Sequence, residues 1–198
     1  MSHALPLDQI VITPLQPSHY AGVVRLGNQV HGSGYLTVES LQRLAQKSLK
    51  GGINCSFVAC LHEQVIGFRL TYANGNWQPD QWCSQAQWPV AAAQVCYFKC
   101  NTVAQPYRGR GLGSALLKRS VAAAKRQGAR AGLAHVWRQS PGNSAFLYFS
   151  RCGGELIADH PNKWLADAGY HCVVCQGPCR CVAAEMLLPF AQPRYQEL

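Results

Sequence analysis

The chain has 198 residues, 48% of them hydrophobic, and its 18 basic and 9 acidic residues give it a formal net charge of +9. A chain of this length buries one sizeable core, so we expect a single domain over 1–198, and the lack of an apolar run of about 18 residues excludes a membrane-spanning helix. Residues 1–8 lack the basic and apolar regions of a signal peptide, so the ten cysteines favour free or metal-bound thiols in a reducing cytoplasm over disulfides.

The first half of the chain predicts a strand, two helices and a strand hairpin. Apolar residues recur at helical spacing after Tyr20, and Thr37 is a favourable N-cap for the second helix. Two later apolar runs are joined by the polar turn His62-Glu-Gln, which is typical of an antiparallel hairpin. The predicted ranges are 10–15 for the first strand, 20–30 and 38–49 for the helices, and 56–61 and 65–72 for the hairpin.

The second half of the chain predicts alternating strands and helices. It begins with a polar connection, 74–93, which carries three tryptophans and no clear periodicity. The predicted elements that follow are a strand over 95–103, a helix from the glycine-rich turn to about 126, a strand over 131–137, a short helix over 143–152 and a final strand over 181–190.

The strongest chemical signal is the segment 103–118, Val-Ala-Gln-Pro-Tyr-Arg-Gly-Arg-Gly-Leu-Gly-Ser-Ala-Leu-Leu-Lys. A strand that ends in a glycine-rich turn and continues as a helix presents unpaired backbone N–H groups and the positive end of the helix dipole. Glycines allow a phosphate to approach the backbone closely, and Arg108 and Arg110 add charged donors. The segment therefore predicts a site for a phosphate-bearing cofactor.

Spacing excludes two other phosphate-binding motifs. A dinucleotide-binding turn carries G-x-G-x-x-G after the first strand and an acidic residue about 20 residues later. Here the glycines alternate, the turn lies past the middle of the chain, and Asp80 is the only acidic residue between Glu63 and Glu155. The Gly-Lys-Ser/Thr sequence of a nucleoside triphosphate loop is also absent.

The pattern Arg108-x-x-Gly111-x-Gly113 resembles the acetyl-CoA signature Gln/Arg-x-x-Gly-x-Gly/Ala of the GNAT superfamily of N-acetyltransferases. The preceding residues resemble the family's Val-x-Pro-x-Tyr-Arg-Gly segment, with the proline one position late. The resemblance implies an α/β (α+β) fold, that of the GNAT-like acyl-CoA N-acyltransferases, with a central mixed, mostly antiparallel sheet flanked by helices. It also implies pyrophosphate binding by turn amides and pantetheine binding at the strand end, through Val103, Arg108, Gly109, Arg110, Gly111, Leu112, Gly113 and Ser114.

A second family motif, Asn-x-x-Ala-x-x-x-Tyr-x-x-x-Gly, is matched with a one-residue offset. With Ala145 and Gly153 in register, Phe149 takes the tyrosine position and Gly142 the asparagine position. The resemblance makes Tyr148 the candidate general acid for the departing thiolate and Asn143 a candidate cofactor contact. The alternative for Tyr148 is core packing on an apolar helix, because one residue rotates a helix by about 100°.

A general base is not evident from the sequence. An attacking amine must lose a proton, usually to a carboxylate, a histidine or water. Glu39, His31 and His135 are candidates, and His135 lies on the strand nearest the expected acetyl group. Cys100 near the end of strand 95–103 is a candidate acyl-transfer nucleophile, although the family usually transfers directly.

Four cysteines lie close together in a cysteine-rich hairpin, 170–181, which we place between the last two strands. Their spacing, C-x2-C-x3-C-x-C, followed within it by Gly-Pro, resembles a zinc knuckle. The alternatives are reduced thiols and a disulfide pair. Zinc would be structural here, because four protein ligands leave no open position. The ligands would be Cys172, Cys175, Cys179 and Cys181.

We therefore expect an enzyme that transfers an acetyl group from acetyl-CoA to an unidentified primary amine by direct attack. The alternatives are a non-catalytic acyl-CoA-binding regulatory protein of the same fold and a zinc-stapled basic module that binds nucleic acid or protein. Nucleic acid is disfavoured, since no basic cluster is interleaved with aromatic residues. The tryptophans of 74–93 could line an acceptor pocket, pack into the core or contact the second subunit of a homodimer.

Overall fold

The computed structural model describes residues 7–167 and 169–190, so both ends of the expected domain 1–198 lie outside the described residues. Four α-helices and nine strands are present in the described part. The helices are α1 (Tyr20–His31), α2 (Val38–Ser48), α3 (Leu112–Arg126) and α4 (Ser144–Arg151). The strands are β1 (Ile10–Pro14), β2 (Leu49–Lys50), β3 (Ile53–Asn54), β4 (Phe57–Leu61), β5 (Gln64–Tyr72), β6 (Val95–Val103), β7 (Ala131–Trp137), β8 (Glu155–Pro161) and β9 (Val182–Pro189).

Seven of these strands form one twisted sheet in the order β1-β4-β5-β6-β7-β9-β8, while β2 and β3 form a separate small hairpin. Neighbouring strands of the large sheet are antiparallel except β6 and β7, which are parallel. The sheet is therefore mixed and mostly antiparallel, as predicted, and helices cover both of its faces.

The parallel pair β6–β7 determines where a ligand can enter. Its pairing starts with Val95 opposite Ala131 and ends with Tyr97 opposite Leu133, so the later residues of both strands diverge. Near the same point β6 carries a β-bulge, because Cys100 lies opposite Leu70 and Phe98 lies opposite Thr71, which makes Lys99 the extra residue. A bulge bends its strand and leaves backbone groups outside the ladder, which favours the separation of β6 from β7.

Two apolar layers hold the helices against the sheet. On one face α1 and α2 bury Val23, Leu26 and Leu41 against Phe68. On the other face α3 and α4 bury Leu116 and Phe149 against apolar residues of β6, β7 and β9. Among the described residues, no helix combines the length and the apolar character that crossing a bilayer requires.

The structure matches the predicted elements, apart from small shifts at their ends, and adds three strands. Two of them, β2 and β3, form a tight hairpin around Gly51 and Gly52, where the sequence indicates only the end of α2. The third is the edge strand β8, which pairs with β9. The segment 170–181 lies in the loop between β8 and β9, where turns and one isolated bridge, Cys172 with Gly177, replace a regular hairpin.

The tryptophan-bearing connection 74–93 packs across the sheet next to β7 and β9. Trp88 is buried with Leu133 and Leu187, and its indole N–H donates to Glu185 on β9. Ser84 donates to the same carboxylate from both its backbone N–H and its hydroxyl, and hydrogen bonding of this kind is what a fully buried carboxylate requires. The connection is thus part of the core as well as of a cavity wall.

Candidate functional site

A cavity of about 1170 Å³ lies where β6 and β7 diverge. Its walls come from both diverging strands, from the turn before α3, from α4 and from the loops 32–37 and 162–181. The cavity is therefore bordered by the glycine-rich turn, by both loops and by the two strands between which it lies.

The glycine-rich turn has the backbone geometry of an anion site. Gly109 and Gly111 have φ values of +72° and +79°, which side-chain-bearing residues rarely adopt, and an added Cβ at either position would meet no atom within 4 Å. The first intrahelical bond of α3 runs from Ala115 N–H to the carbonyl of Gly111 at 2.9 Å. The amides of the three preceding residues belong to the unpaired first turn, so they are available to a ligand.

The other predicted cofactor residues surround this turn in different ways. Arg108 folds back and donates from Nε to the carbonyl of Val103 at 2.8 Å, which ties the turn to the end of β6. Ser114 is exposed at the cavity edge, whereas the side chain of Leu112 is buried in the core, so only its backbone faces the turn. Arg110 is exposed in the turn, and it is not among the described residues that line the cavity.

Tyr148 projects from α4 to the first turn of α3. Its hydroxyl donates to the carbonyl of Gly113 at 3.0 Å and accepts from Nη2 of Arg69 at 3.1 Å. Burial raises the pKa of Tyr148, while the Arg69 guanidinium opposes that increase. The phenol is therefore protonated at neutral pH. If it donated its proton, the neighbouring guanidinium of Arg69 would stabilise the resulting phenolate.

The one-residue offset of the second motif has a structural explanation. Phe149, at the position of the family tyrosine, is 2% exposed and packs edge-on against Phe98 at a centroid distance of 5.9 Å. Asn143 starts α4 with φ of +51°, and its Oδ1 is buried without a hydrogen-bond partner in the described residues. Its neighbours Gly142 and Ser144 line the cavity. The hydroxyl of this helix is therefore supplied by Tyr148.

Comparison with protein families agrees with this geometry. The family model described as "Acetyltransferase (GNAT) family" matches residues 29–153, which include the divergent strands, the glycine-rich turn and α4. The chain belongs to the GNAT family of acetyltransferases. Membership supports acyl transfer as its chemistry and acyl-CoA as the donor class. A search of curated proteins gives no match to the chain.

Solved GNAT structures share the fold at low sequence identity. Ard1 from Thermoplasma volcanium is 16% identical with a TM-score of 0.66, covering 93% of this chain and 99% of its own. The ribosomal-protein-S18-alanine N-acetyltransferase from Escherichia coli is 14% identical with a TM-score of 0.63, covering 96% and 99%. The yncA protein from Salmonella typhimurium, solved with its cofactor acetyl-CoA, is 16% identical with a TM-score of 0.65, covering 96% and 98%.

A second cavity of about 340 Å³ adjoins the first on the side of the tryptophan-bearing connection. Six residues line both cavities, three on β6 and β7 and three in the loop after β8: Tyr97, Lys99, His135, Trp164, Ala166 and Asp167. A molecule in one space would therefore approach a molecule in the other where β6 and β7 diverge. Trp77 and Trp82 line the smaller space, in contrast to Trp88 in the core.

His135 is the predicted base that lies closest to this junction. Its Nε2–H donates to the carbonyl of Trp82 at 2.7 Å, which leaves Nδ1 to accept from the hydroxyl of Tyr97 at 3.0 Å. Burial, reinforced by the charge of Lys163, lowers the pKa of His135 to about 4. The ring is thus neutral at physiological pH, with both nitrogens engaged.

The remaining candidates have different positions. His31 lines the large cavity and its Nε2 lies 2.8 Å from the hydroxyl of Thr102, and burial together with nearby cations lowers its pKa to about 4. Burial raises the pKa of the Cys100 thiol, which disfavours a nucleophilic thiolate. Glu39 is exposed on α2 and pairs with Arg43 at 2.7 Å, so it lies outside both cavities.

The loops 32–37 and 162–181 contact each other and form a roof over part of the large cavity. Gly32 and Gly34 have positive φ, and a Cβ at either would collide with the carbonyl oxygen of His171 or Gly169. The hydroxyl of Tyr170 donates to the carbonyl of His31 at 3.2 Å. This close backbone contact is possible only because both positions in the 32–37 loop are glycines.

The structure brings the four predicted metal ligands together in the 162–181 loop. The sulfur atoms of Cys172, Cys175, Cys179 and Cys181 all lie within 4.8 Å of one another. Burial raises the pKa of the Cys172 thiol, but hydrogen bonds from the backbone of Cys175 and Val174 outweigh it and lower the pKa to about 7. One member of the cluster is therefore readily ionised.

Sequence reasoning missed Arg69. It is 2% exposed on β5, its guanidinium stacks 4.9 Å from the centroid of Phe98, and it forms no ion pair within the described residues. Its cross-strand neighbour is Asn101. A single arginine in an apolar strand was the available signal, since a buried cation is rare without a functional or structural partner.

Proposed function

We propose that this GNAT protein transfers the acetyl group of acetyl-CoA to a primary amine by direct attack. The observation that carries the proposal is the large cavity that is lined both by the unpaired first turn of α3 and by β6 and β7 where the two strands separate. Such a cavity accommodates a long ligand with a phosphate at one end and a reactive group between the strands. The second cavity supplies a separate approach for the amine.

The cofactor contacts follow from the charges along the cavity. The pyrophosphate binds the backbone N–H groups of Leu112, Gly113 and Ser114, with Arg108 and Arg110 beside it. The pantetheine arm runs along the free edge of β6 towards Phe98, past Val103. Asn143 belongs to the helix on the other side of this path.

In the reaction, the neutral amine attacks the thioester carbonyl carbon from the junction of the two cavities. The new C–N bond forms, the C–S bond breaks, and the amine releases a proton to water in the open cavity. Tyr148 donates its hydroxyl proton to the departing thiolate, Arg69 stabilises the phenolate, and a proton returned from water restores the phenol. Arg69 acts through Tyr148, so it is a positioning residue.

The first test is calorimetric titration of the purified protein with acetyl-CoA, with CoA as the comparison ligand. We expect micromolar binding of acetyl-CoA and then release of free thiol when primary amines of different classes are added. A folded protein that does not bind acetyl-CoA would overturn the proposal.

A non-catalytic acyl-CoA-binding role is the second candidate, and one observation favours it. The hydroxyl of Tyr148 already donates to the carbonyl of Gly113, while the position of the family tyrosine is the buried Phe149. Acetyl-CoA binding without thiol release with any amine tested would favour this role. The nucleic-acid alternative has less support, since the basic residues of α3 form an exposed, solvated face.

A further inference from the structure

The four cysteine sulfurs of the 162–181 loop have the spacing of a tetrahedral metal site. Sγ of Cys181 lies 3.9 Å from that of Cys172 and 3.6 Å from that of Cys175. Tetrahedral Zn²⁺ with Zn–S bonds of about 2.3 Å places its sulfurs about 3.8 Å apart. A disulfide would need about 2.05 Å, so these two contacts join separate thiols, and all four cysteines of the cluster are free.

The backbone of the loop is arranged around these sulfurs. The amide of Arg180 donates to Sγ of Cys175 at 3.3 Å, as expected where a sulfur carries negative charge. Cys172 and Gly177 form the isolated bridge, with Cys172 N–H donating to the carbonyl of Gly177 at 2.9 Å, and Gln176 between them has φ of +52°. This turn aims Cys172 and Cys175 at the same point.

Cysteines are also the only fully buried residues of this small cluster within the described chain. Cys172, Cys179 and Cys181 are at most 2% exposed, and partly buried aromatic residues surround them, including Trp137, Trp164 and Tyr170. Three thiols bury too little apolar area to order a loop whose described residues form no helix or regular strand. A shared metal ion would provide the missing cross-link.

We propose that Cys172, Cys175, Cys179 and Cys181 bind one Zn²⁺ as thiolates, and that the metal-closed loop is the wall of the acceptor end of the large cavity. On binding, the four thiols release their protons to solvent, and no electron is transferred. The ion has no open coordination position, so its role is structural.

The position of the loop supports its role as a wall. Tyr170, Val173, Val174 and Cys179 line the large cavity, and Trp164, Ala166 and Asp167 of the same loop line both cavities, so the loop borders the junction from which the amine would approach. Val173 and Val174 are 47% and 49% exposed, so they present apolar surface at this wall. The neighbouring residues 169–171 hold this wall against Gly32 and Gly34. Metal loss would release the wall and leave the cofactor end intact.

The first experiment measures metal in protein purified under reducing conditions. We expect one zinc per chain by elemental analysis, and replacement by Co²⁺ should give the visible absorption bands of a tetrahedral thiolate site. Cys175→Ser should lose the bound zinc, whereas Cys60→Ser, which changes a cysteine of β4 outside the cluster, should retain it. Disulfides within the cluster, or four reactive thiols with no bound metal, would overturn the proposal.

The second experiment tests the wall, and this part rests on the proposed acetyl transfer. Zinc is removed with a chelator and then restored. We expect tryptophan emission to shift to longer wavelength, because Trp137 and Trp164 pack on the cluster. The affinity for acetyl-CoA should stay within about twofold, while KM for whichever amine proves active rises tenfold or more. Added zinc should reverse the shift in tryptophan emission and the rise in KM.

The outcomes separate the two proposals. Failure of the zinc-loaded protein to bind acetyl-CoA would contradict the proposed function and leave the metal stoichiometry standing. An unchanged amine KM and unchanged tryptophan emission after zinc removal would overturn the proposal that the metal-closed loop forms the wall of the acceptor end. Loss of acetyl-CoA affinity together with zinc would also overturn it, because the metal would then support the whole cavity.

Discussion

At the scale of single residues, the proposed chemistry depends on the phenol hydroxyl of Tyr148 on α4. Tyr148 lies between a carbonyl that accepts its proton and a guanidinium that donates to its oxygen. The neighbouring Phe149 has no hydroxyl, and its ring fills the core beside Phe98. The one-residue offset in the sequence therefore places the hydroxyl of Tyr148 against the first turn of α3.

Removing this hydroxyl should affect turnover more than binding. We expect Tyr148→Phe to lower kcat roughly 10²-fold or more, since general-acid assistance contributes on that order, with acetyl-CoA affinity changed by less than about threefold. Steady-state kinetics and calorimetry of the same preparation measure both quantities. Tyr20→Phe, on a partly buried tyrosine of α1 away from the cavity, is the control. An unchanged kcat for Tyr148→Phe would show that the thiolate leaves without this acid.

At the scale of elements, the turn before α3 combines two requirements in one short segment. It must reverse the chain through left-handed backbone at Gly109 and Gly111, and it must leave the space above them open. A β-branched side chain conflicts with the first requirement and would occupy part of the second.

The turn can be tested with two equally strained variants. Gly111→Val and Gly52→Val both place valine at positive φ, +79° and +74°, with no atom within 4 Å of the new Cβ. Each should lower the free energy of unfolding by about 1–3 kcal/mol. Only Gly111→Val should abolish acetyl-CoA binding, because only that turn faces the cavity. Equal affinity for acetyl-CoA in the two variants would refute the assignment of the glycine-rich turn as the phosphate site.

At the scale of the whole molecule, buried histidines link stability to pH. His135 is 8% exposed, and its Nδ1 must stay unprotonated to accept from Tyr97. Its pKa of about 4 in the folded chain lies below its ordinary value of 6.5, so the unfolded chain binds more protons between these values. The stabilisation is complete above pH 6.5 and is lost as the pH falls towards 4.

Chemical unfolding at pH 7.5 and pH 5 measures this linkage. For His135 alone we expect the free energy of unfolding to fall by about 2 kcal/mol between the two pH values. His135→Gln should remove that part of the decrease and leave the contribution of His31. His62→Asn, at an exposed turn with φ of +52°, should behave like the wild type. A wild-type chain with equal stability at both pH values would contradict the assignment.

Sequence reasoning succeeded where a local rule determines the structure. Thr37 predicted the start of α2, and in the structure it accepts from Ser40 N–H in a capping box. The edge strand β8 was missed because Glu155–Pro161 has little alternation and contains Asp159, His160 and a proline. Arg69 was missed because only the packing of β5 against α3 and α4 buries it. Contacts between distant segments, such as Glu185 with Ser84, follow no local pattern.

The contact between the two roof loops should form later in folding than the glycine-rich turn and its helices. The hydrogen bond from Tyr170 to His31 joins positions 139 residues apart, whereas the turn, α3 and α4 are assembled from neighbouring segments. Closing the longer loop costs more chain entropy, and only a contact between two loops offsets that cost. We therefore expect the proposed acceptor end to form later and to open more readily in the folded protein, so that substrate exchange there would not disturb a bound cofactor.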